Sequence, residues 1–266
     1  MSKKKHKNKK NKTQELEKIF LETSAQISRM SSNPKGDKVR RLTLTHRLYS
    51  SYFVLYEFKT SLLRSLIEFY YIVKIDGPAK ALAIWSDKFS IRDQKNIVLL
   101  QSFLLQVNDS ISGSNTLDYL SKIEAIIFQL INNFDIDLVG MIGDFGSDEI
   151  VKAPILTSVD YDSFIKSYKD RPCIPMDGFW RNHKEQLQTL VNAKKEMSAS
   201  SGLKKILSHL EKIDSDIQNA NKHHTNKAVG DSVIVVDIPK SMKLASFDHS
   251  FGVLCPLLGK EYFQLA

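Results

Sequence analysis

The segment Leu48–Val73, LYSSYFVLYEFKTSLLRSLIEFYYIV, decides the interpretation of the fold. At about 100° per residue, its apolar side chains cover one broad face of a helix: Leu48, Tyr52, Leu55, Leu62, Leu63, Leu66, Phe69 and Tyr70. A helix with so wide an apolar surface is mostly buried. The segment therefore predicts a mainly α protein, a multi-helix bundle around one long central helix that runs from about Asp37 to Lys74.

A narrow polar stripe lies opposite this apolar face, formed by His46, Ser50, Glu57, Ser61, Arg64 and Glu68. It is either a solvent-exposed face, in which Arg64 and Glu68 form an i,i+4 pair, or a buried polar seam. In a seam, Glu57, Arg64 and Glu68 satisfy one another because an unpaired buried charge is costly, and such a seam can line a ligand pocket. Charged residues interrupt the segment, so we expect no membrane span.

Capping residues and breaks in apolar spacing divide the rest of the chain into further helices. A first amphipathic helix begins at about Thr13 and carries Leu16, Ile19, Phe20 and Ile27. More helices are expected at about Pro78–Lys88, Ser90–Val107, Asn115–Phe134, Tyr161–Tyr168, Phe179–Met197 and Leu203–Ile217, the last two as a hairpin.

Only a small β element is predicted, near the C-terminus. The β-branched run Ser232–Ile238 is too short and too rich in valine and isoleucine for a helix, and Phe251–Leu258 is expected to pair with it. Residues 1–13 are predicted to be a disordered tail. Residues 14–266 are predicted to form one helical domain, with a division into a subdomain at about residue 177 left open.

Basic charge is concentrated in this N-terminal tail, which has no acidic residue and seven lysines: Lys3, Lys4, Lys5, Lys7, Lys9, Lys10 and Lys12. The remaining 31 basic and 30 acidic residues contribute only about +1 of the formal net charge of +8. Such a tail binds RNA or another polyanion without sequence preference and in a salt-sensitive way. A solubilising terminus, a membrane-surface segment and a localisation signal are the alternatives. Without a secretory pattern or paired cysteines, we expect a cytoplasmic protein.

Arg41 and His46 are the candidate catalytic residues. Their R-x4-H spacing resembles that of HEPN-type helical ribonucleases, in which the arginine stabilises phosphate charge and the histidine handles the 2′-hydroxyl proton or orients the phosphate, without a metal. Histidine suits acid–base chemistry near neutral pH. The alternative interpretation is a basic, solvated start of the long helix.

A group of acidic residues raises the question of a metal site, because hard cations bind carboxylates; it comprises Asp135, Asp137, Asp144, Asp148 and Glu149. The spacing matches neither an EF-hand loop nor the Glu-x-Lys of a PD-(D/E)xK nuclease. The glycines of residues 140–146 match neither the Walker A loop nor the dinucleotide fingerprint. We therefore expect an acidic loop, no metal and no cofactor.

The helix Ser61–Tyr71 resembles uncharacterised bacterial helical proteins that carry an R-(S/T)-L-x-E helix and are grouped with HEPN-like domains. The resemblance rests on Arg64, Ser65, Leu66 and Glu68 and covers about 40 residues. It implies a bacterial, cytoplasmic, mainly α protein that is able to form a homodimer.

The sequence leads to two main hypotheses of function. The first is a binding or interaction protein whose lysine tail contacts RNA or another polyanion nonspecifically. The second is a HEPN-like, metal-independent ribonuclease of the toxin or phage-defence kind, acting through Arg41 and His46. A third hypothesis is a ligand pocket built on Glu57, Arg64 and Glu68.

Overall fold

The structure, a computed structural model, describes residues 16–89, 115–143 and 174–265. Its centre is a five-stranded sheet in the order β3-β2-β1-β4-β5, and every neighbouring pair of strands is parallel. The strands are β1 (Glu17–Leu21), β2 (His46–Ser51), β3 (Leu138–Ile142), β4 (Lys243–Ser246) and β5 (Glu261–Gln264). The protein is therefore an α/β protein.

Helices connect the strands. Between β1 and β2 lie α1 (Thr23–Arg29) and α2 (Pro34–Leu42). Between β2 and β3 lie α3 (Tyr52–Phe58), a π-helical turn (Lys59–Leu63), α4 (Arg64–Asp76), α5 (Pro78–Phe89) and α6 (Thr116–Asn132). Between β3 and β4 lie α7 (Asp177–Asn182), α8 (Lys184–Asn192), α9 (Lys194–Met197), α10 (Ser201–Ser215), a 3-10 turn (Ile217–Asn221) and α11 (His223–Asp237). The helix α12 (Phe251–Leu257) joins β4 to β5.

The core lies on both faces of the sheet. In β1, Ile19 and Leu21 belong to a smaller cluster with Val39 of α2, whereas Phe20 belongs to a larger cluster that includes Phe53 of α3. Successive side chains of a strand point to opposite faces, so the three apolar residues of β1 are all buried. A parallel strand covered on both faces has a continuous apolar run rather than an alternating one.

The predicted mainly α bundle is wrong, because the five parallel strands make this an α/β fold. β1 lies inside the first helix that we predicted, and β2 lies inside the predicted long helix. A short apolar run fits a buried strand and a buried helix equally well, so periodicity alone misassigned both. The mainly α fold implied by the HEPN-like resemblance is corrected with it. The resemblance itself stays a prediction.

The segment that decided the prediction is helical only in part. Leu48–Ser51 belongs to β2, and the helical chain then runs from Tyr52 through the π-helical turn to Asp76. The Ser51 side chain accepts a hydrogen bond of 3.2 Å from the backbone N–H of Val54 and so caps α3. This N-cap is the local signal that separates the strand from the helix.

The predicted strand Ser232–Ile238 is also wrong, since Ser232–Asp237 lies within α11. Its valines and isoleucines are buried around most of the helix, and tertiary packing of this kind overrides intrinsic β propensity. The Lys260 ammonium supports the end of this helix by donating hydrogen bonds to the carbonyls of Val236 (2.7 Å) and Ile238 (2.6 Å). The predicted pairing segment Phe251–Leu258 is the helix α12 instead.

Several helices were predicted correctly. Asn115 caps α6, where its Oδ1 accepts a 3.0 Å hydrogen bond from the Asp118 N–H. The apolar repeat of Leu203–Ile217 forms α10 as far as Ile213, with Ile217 in the following 3-10 turn, and α10 packs against α8. The predicted helices Ser90–Val107 and Tyr161–Tyr168 lie outside the described residues. In the described ranges, no helix is both long enough and apolar enough to cross a membrane.

A candidate cation site at the C-terminal edge of the sheet

The strand order predicts a crevice at the C-terminal ends of β1 and β4. From β1 the chain moves outward through β2 to β3, and it then returns to the other side of β1 to form β4 and β5. The connection after β1 packs on one face of the sheet through Val39, whereas α12 after β4 packs on the other face through Leu254. Open parallel sheets bind ligands where neighbouring connections diverge in this way.

Glu22 follows β1 directly and lies at this crevice. It is 4% exposed, and its carboxylate accepts hydrogen bonds from the backbone N–H groups of Ser24 (2.6 Å) and Ala25 (3.0 Å) and from the Ser24 hydroxyl. Burial raises the pKa of Glu22, although these bonds and one to Ser246 of β4 oppose the rise. Glu22 therefore connects the ends of β1 and β4.

Glu57 of α3 reaches the same point from a second segment. The Thr23 hydroxyl donates a hydrogen bond to its carboxylate, and Gly230 of α11 lies so close that a Cβ there would collide with Glu57. Burial of the carboxylate, together with the charges of Asp231 and Glu22, raises the pKa of Glu57 to about 8 against the opposing influence of Thr23 and Lys227. Glycine inside a helix costs about 1 kcal/mol of stability relative to alanine. The close approach of Glu57 explains why a glycine nevertheless stands at position 230.

Asp231 and Asp248 complete the group. Asp231 lies on α11, and Asp248 lies in the turn between β4 and α12. The Ser250 hydroxyl donates a 3.0 Å hydrogen bond to Asp231 Oδ2, and the Ser250 N–H donates one of 3.0 Å to Asp248 Oδ1. The Asp248 N–H in turn donates to Ser246 Oγ at 2.8 Å.

We call Glu22, Glu57, Asp231 and Asp248 the acidic cluster. Its members come from four separate segments, and the charges of Glu22 and Asp231 disfavour the charged form of Glu57. Carboxylates that repel one another in a partly buried crevice are typical of sites that bind a cation or transfer protons.

Within the described residues, no three or more His, Cys, Asp and Glu side chains are arranged so that they could hold a metal ion as they stand. Mg²⁺ does not need such a cage, since it is usually held by one or two carboxylates, several waters and substrate phosphates. The acidic cluster offers the oxygen ligands that hard divalent cations prefer.

The structure places the predicted catalytic pair elsewhere. Arg41 is exposed in the last turn of α2, and His46 is the first residue of β2. His46 therefore lies at the N-terminal edge of the sheet, where its Nε2 is 3.6 Å from Glu17 Oε2 and its Nδ1 is 2.7 Å from the Thr45 hydroxyl. This edge is opposite the acidic cluster.

The predicted seam of Glu57, Arg64 and Glu68 is divided by the π-helical turn. Arg64 and Glu68 lie on α4, after the turn, and both are partly buried. Glu57 lies before it, and the charged groups that influence its pKa are Asp231, Glu22 and Lys227. Of the three seam residues, Glu57 is the one that belongs to the acidic cluster.

The other predicted features lie in loops or outside the described residues. Asp137 forms an ion pair of 2.9 Å with Arg29, and Asp135 is exposed. The lysines of residues 1–13 and the acidic residues 144, 148 and 149 lie outside the described residues. Cys255 is buried, and burial raises the pKa of its thiol to about 12.

Sequence reasoning missed Glu22, Asp231 and Asp248. Glu22 ends the run Ile19-Phe20-Leu21, and Asp248 follows Leu244-Ala245-Ser246 after one residue. An acidic residue after a short apolar run is a recognisable signal once that run is identified as a parallel strand, because the C-terminal ends of parallel strands share one edge. No such local signal marks Asp231, which lies within a helix.

No protein-family model, no curated protein and no solved structure matches this chain.

Proposed function

We propose that the acidic cluster binds a divalent cation such as Mg²⁺ or Mn²⁺ and that the protein hydrolyses phosphodiester bonds of nucleic acid in a cation-dependent reaction. The observation that carries the proposal is the convergence of Glu22, Glu57 and Asp231 at the C-terminal ends of β1 and β4, where the charges of Glu22 and Asp231 disfavour the charged form of Glu57. A divalent cation offsets such repulsion and favours the charged form of each carboxylate.

Phosphate chemistry is supported by charge. Four carboxylates repel a phosphodiester unless a cation lies between them, so a purely acidic pocket would not accept this substrate. When bound, the cation compensates phosphate charge and lowers the pKa of a coordinated water. The formal net charge of +8 comes almost entirely from the seven lysines of residues 1–13, and such a tail suits a long polyanion.

The residues of the crevice have distinct tasks in this proposal. Glu22, Asp231 and Asp248 supply oxygen ligands for the cation. Glu57, whose pKa is raised to about 8, carries a proton at neutral pH before the cation binds and releases it afterwards. The Thr23 hydroxyl orients Glu57 through its hydrogen bond.

A cleavage assay on end-labelled RNA and DNA oligonucleotides tests the proposal. The wild type, Asp231→Asn and Glu17→Gln are each incubated with Mg²⁺, with Mn²⁺ and with EDTA. We expect cation-dependent cleavage that falls about 100-fold or more in Asp231→Asn, because a ligand is lost. Glu17→Gln is the matched control, since it removes one carboxylate at the opposite edge of the sheet, and it should stay within about twofold of the wild type.

The same assay separates this proposal from the two main hypotheses drawn from the sequence. Cleavage that persists in EDTA and disappears in His46→Ala would contradict the cation site and favour the metal-independent ribonuclease. Salt-sensitive binding that is lost on deletion of residues 2–12, with no cleavage under any condition, would favour the binding protein. Both hypotheses stay predictions until then.

A further inference from the structure

We propose that the exposed side of α10, together with His224 of α11, forms a surface that binds the phosphate backbone of a nucleic-acid strand. The inference deepens the proposed function and rests on it for the identity of the partner, because the substrate of that reaction is a phosphodiester chain. It assigns part of the contact to a helical face in the described chain, in addition to the lysines of residues 1–13.

A basic stripe runs along the exposed side of α10. Lys205, His209 and Lys212 follow one another at i, i+4 and i+7, so they share one face of the helix. Both lysines are exposed, and His209 is partly buried. The two acidic residues of this helix, Glu211 and Asp214, point at least about 100° away from every member of the stripe. The stripe therefore presents positive charge that no carboxylate on its own helix face compensates.

His224 of α11 extends the stripe across the contact between the two helices. The ring centroids of His209 and His224 are 5.8 Å apart, and the ring planes meet at 63°. We call Lys205, His209, Lys212 and His224 the basic surface. Its four side chains come from two helices that pack against each other, so the fold fixes their relative positions.

The groups of the basic surface oppose the protonation of His209. Burial, and after it the charges of Lys212, His224 and Lys205, lower the pKa of His209. In the part of the chain that the structure describes, the buried Nδ1 of His209 has no hydrogen-bond partner. A phosphate beside these side chains offsets their mutual repulsion and favours the protonated histidine. An anion therefore gains both from the lysines and from a proton that it helps His209 to bind.

Nucleic acid fits this surface better than an anionic membrane does. A helix that lies on a membrane inserts an apolar face between the lipids. The apolar residues of α10 are instead buried in the protein; they are Leu203, Ile206, Leu207, Leu210 and Ile213. Lys205 and Lys212 are separated by two turns of helix, roughly 10 Å, and this spacing suits a strand that carries a negative charge on every nucleotide.

Fluorescence anisotropy with a labelled single-stranded DNA oligonucleotide measures the affinity of the full chain in EDTA. The variant Lys205→Gln/Lys212→Gln removes two charges from the basic surface. Lys80→Gln/Lys184→Gln is the matched control, because it removes two exposed lysines from α5 and α8. The slope of log K against log salt concentration should become shallower by about 1.4 in the first variant, at about 0.7 for each phosphate contact. It should stay as in the wild type in the control.

The two histidines give a second readout, which a merely structural role would not change. The affinity of the wild type should rise about threefold or more between pH 8 and pH 5.5, because the bound phosphate favours protonated His209. His209→Gln/His224→Gln should lose most of this rise. His46→Gln, which removes a histidine from the N-terminal edge of the sheet, should retain it.

The outcomes separate this inference from the proposed function. An unchanged salt slope in Lys205→Gln/Lys212→Gln would overturn the basic surface and leave the cation-dependent reaction in place, as would equal losses in both lysine variants. A shallower slope in that variant alone, with no cleavage by the wild type under any condition, would support the basic surface and overturn the proposed reaction. A wild type that binds no oligonucleotide, or that uses these lysines only for phosphatidylserine vesicles, would overturn the inference.

Discussion

Carboxylate side chains lie at both edges of the parallel sheet, but they are paired with a lysine at the N-terminal edge and lie beside other carboxylates at the C-terminal edge. At the N-terminal edge, Lys243 Nζ lies 2.6 Å from Glu17 and 3.1 Å from Glu261. At the C-terminal edge, the carboxylates of Glu22 and Glu57 have hydroxyl and amide donors, and the charge of Asp231 disfavours that of Glu57.

The difference shows in the direction of the pKa shifts. The hydrogen bond from Lys243 lowers the pKa of the exposed Glu17, whereas burial raises the pKa of Glu22 and that of Glu57. Exposed ion pairs contribute little to stability, and carboxylates with raised pKa in a crevice cost stability. The carboxylates of the N-terminal edge therefore take part in ordinary surface ion pairs. Those of the C-terminal edge have the raised pKa values that are typical of a functional site.

The largest effect is expected in the cleavage assay, in which one residue from each edge of the sheet is replaced and the cation-dependent rates are compared. Asp248→Asn should reduce the cation-dependent rate about 100-fold or more, because an amide oxygen is a weaker ligand for a hard cation than a carboxylate. His46→Ala should change it by less than about twofold. Similar losses in both variants would contradict the assignment of function to one edge only.

The second expected effect is on stability and its dependence on pH. The pKa of Glu57 is about 8 in the folded protein against 4.5 in the unfolded chain, so the folded state binds more protons between these values. The contribution of protonated Glu57 to stability is therefore fully present below about pH 4.5 and is lost as the pH rises through 8. Glu57→Gln should therefore raise the free energy of unfolding at pH 8 by roughly 2–4 kcal/mol, with a smaller gain at pH 5.

Urea denaturation at pH 5, 6.5 and 8 in EDTA measures this difference. Glu17→Gln serves as the control, since a lowered pKa gives stability that is present above the unfolded value of 4.5 and lost only at lower pH. Its difference from the wild type should stay constant over this range. A constant difference for Glu57→Gln as well would contradict the raised pKa and with it the contrast between the edges.

The smallest expected effect concerns the ion pairs of the N-terminal edge. Lys243→Met removes the partner of Glu17 and Glu261 but retains most of the side-chain length. Because exposed ion pairs are weak, we expect the Tm to fall by at most about 2 °C. Salt screens such pairs, so 1 M NaCl should remove the difference from the wild type. A large loss that persists in high salt would show that this edge contributes more than surface ion pairs do.

Local signals explain which parts of the fold were predictable. Asn115 caps α6 through contacts within four residues of the chain, and the apolar repeat of α10 defines its buried face by itself. The strands lack such signals. β1 pairs with β4 through Ile19 and Lys243, more than 200 residues apart in the chain, and no periodicity within either segment shows that contact.

The candidate site was predictable only where a local pattern drew attention to it. Glu57 was recognised because it interrupts an apolar helix, although its predicted partners were Arg64 and Glu68. Its actual neighbours are Glu22, which lies in a segment that we interpreted as helix, and Asp231, which directly precedes the predicted strand Ser232–Ile238. Because β1 and β4 were not identified as strands, nothing in the sequence indicated that these three residues meet at one edge of a sheet.

The sequence by itself determined several helices, their caps and the concentration of lysines at the N-terminus, because each depends on residues close together in the chain. Only the tertiary structure decided that β1 and β4 are neighbours and that the acidic cluster forms at their C-terminal ends. The physical reason is that parallel strands make all their hydrogen bonds to distant segments. The crevice between them exists only once those segments have met.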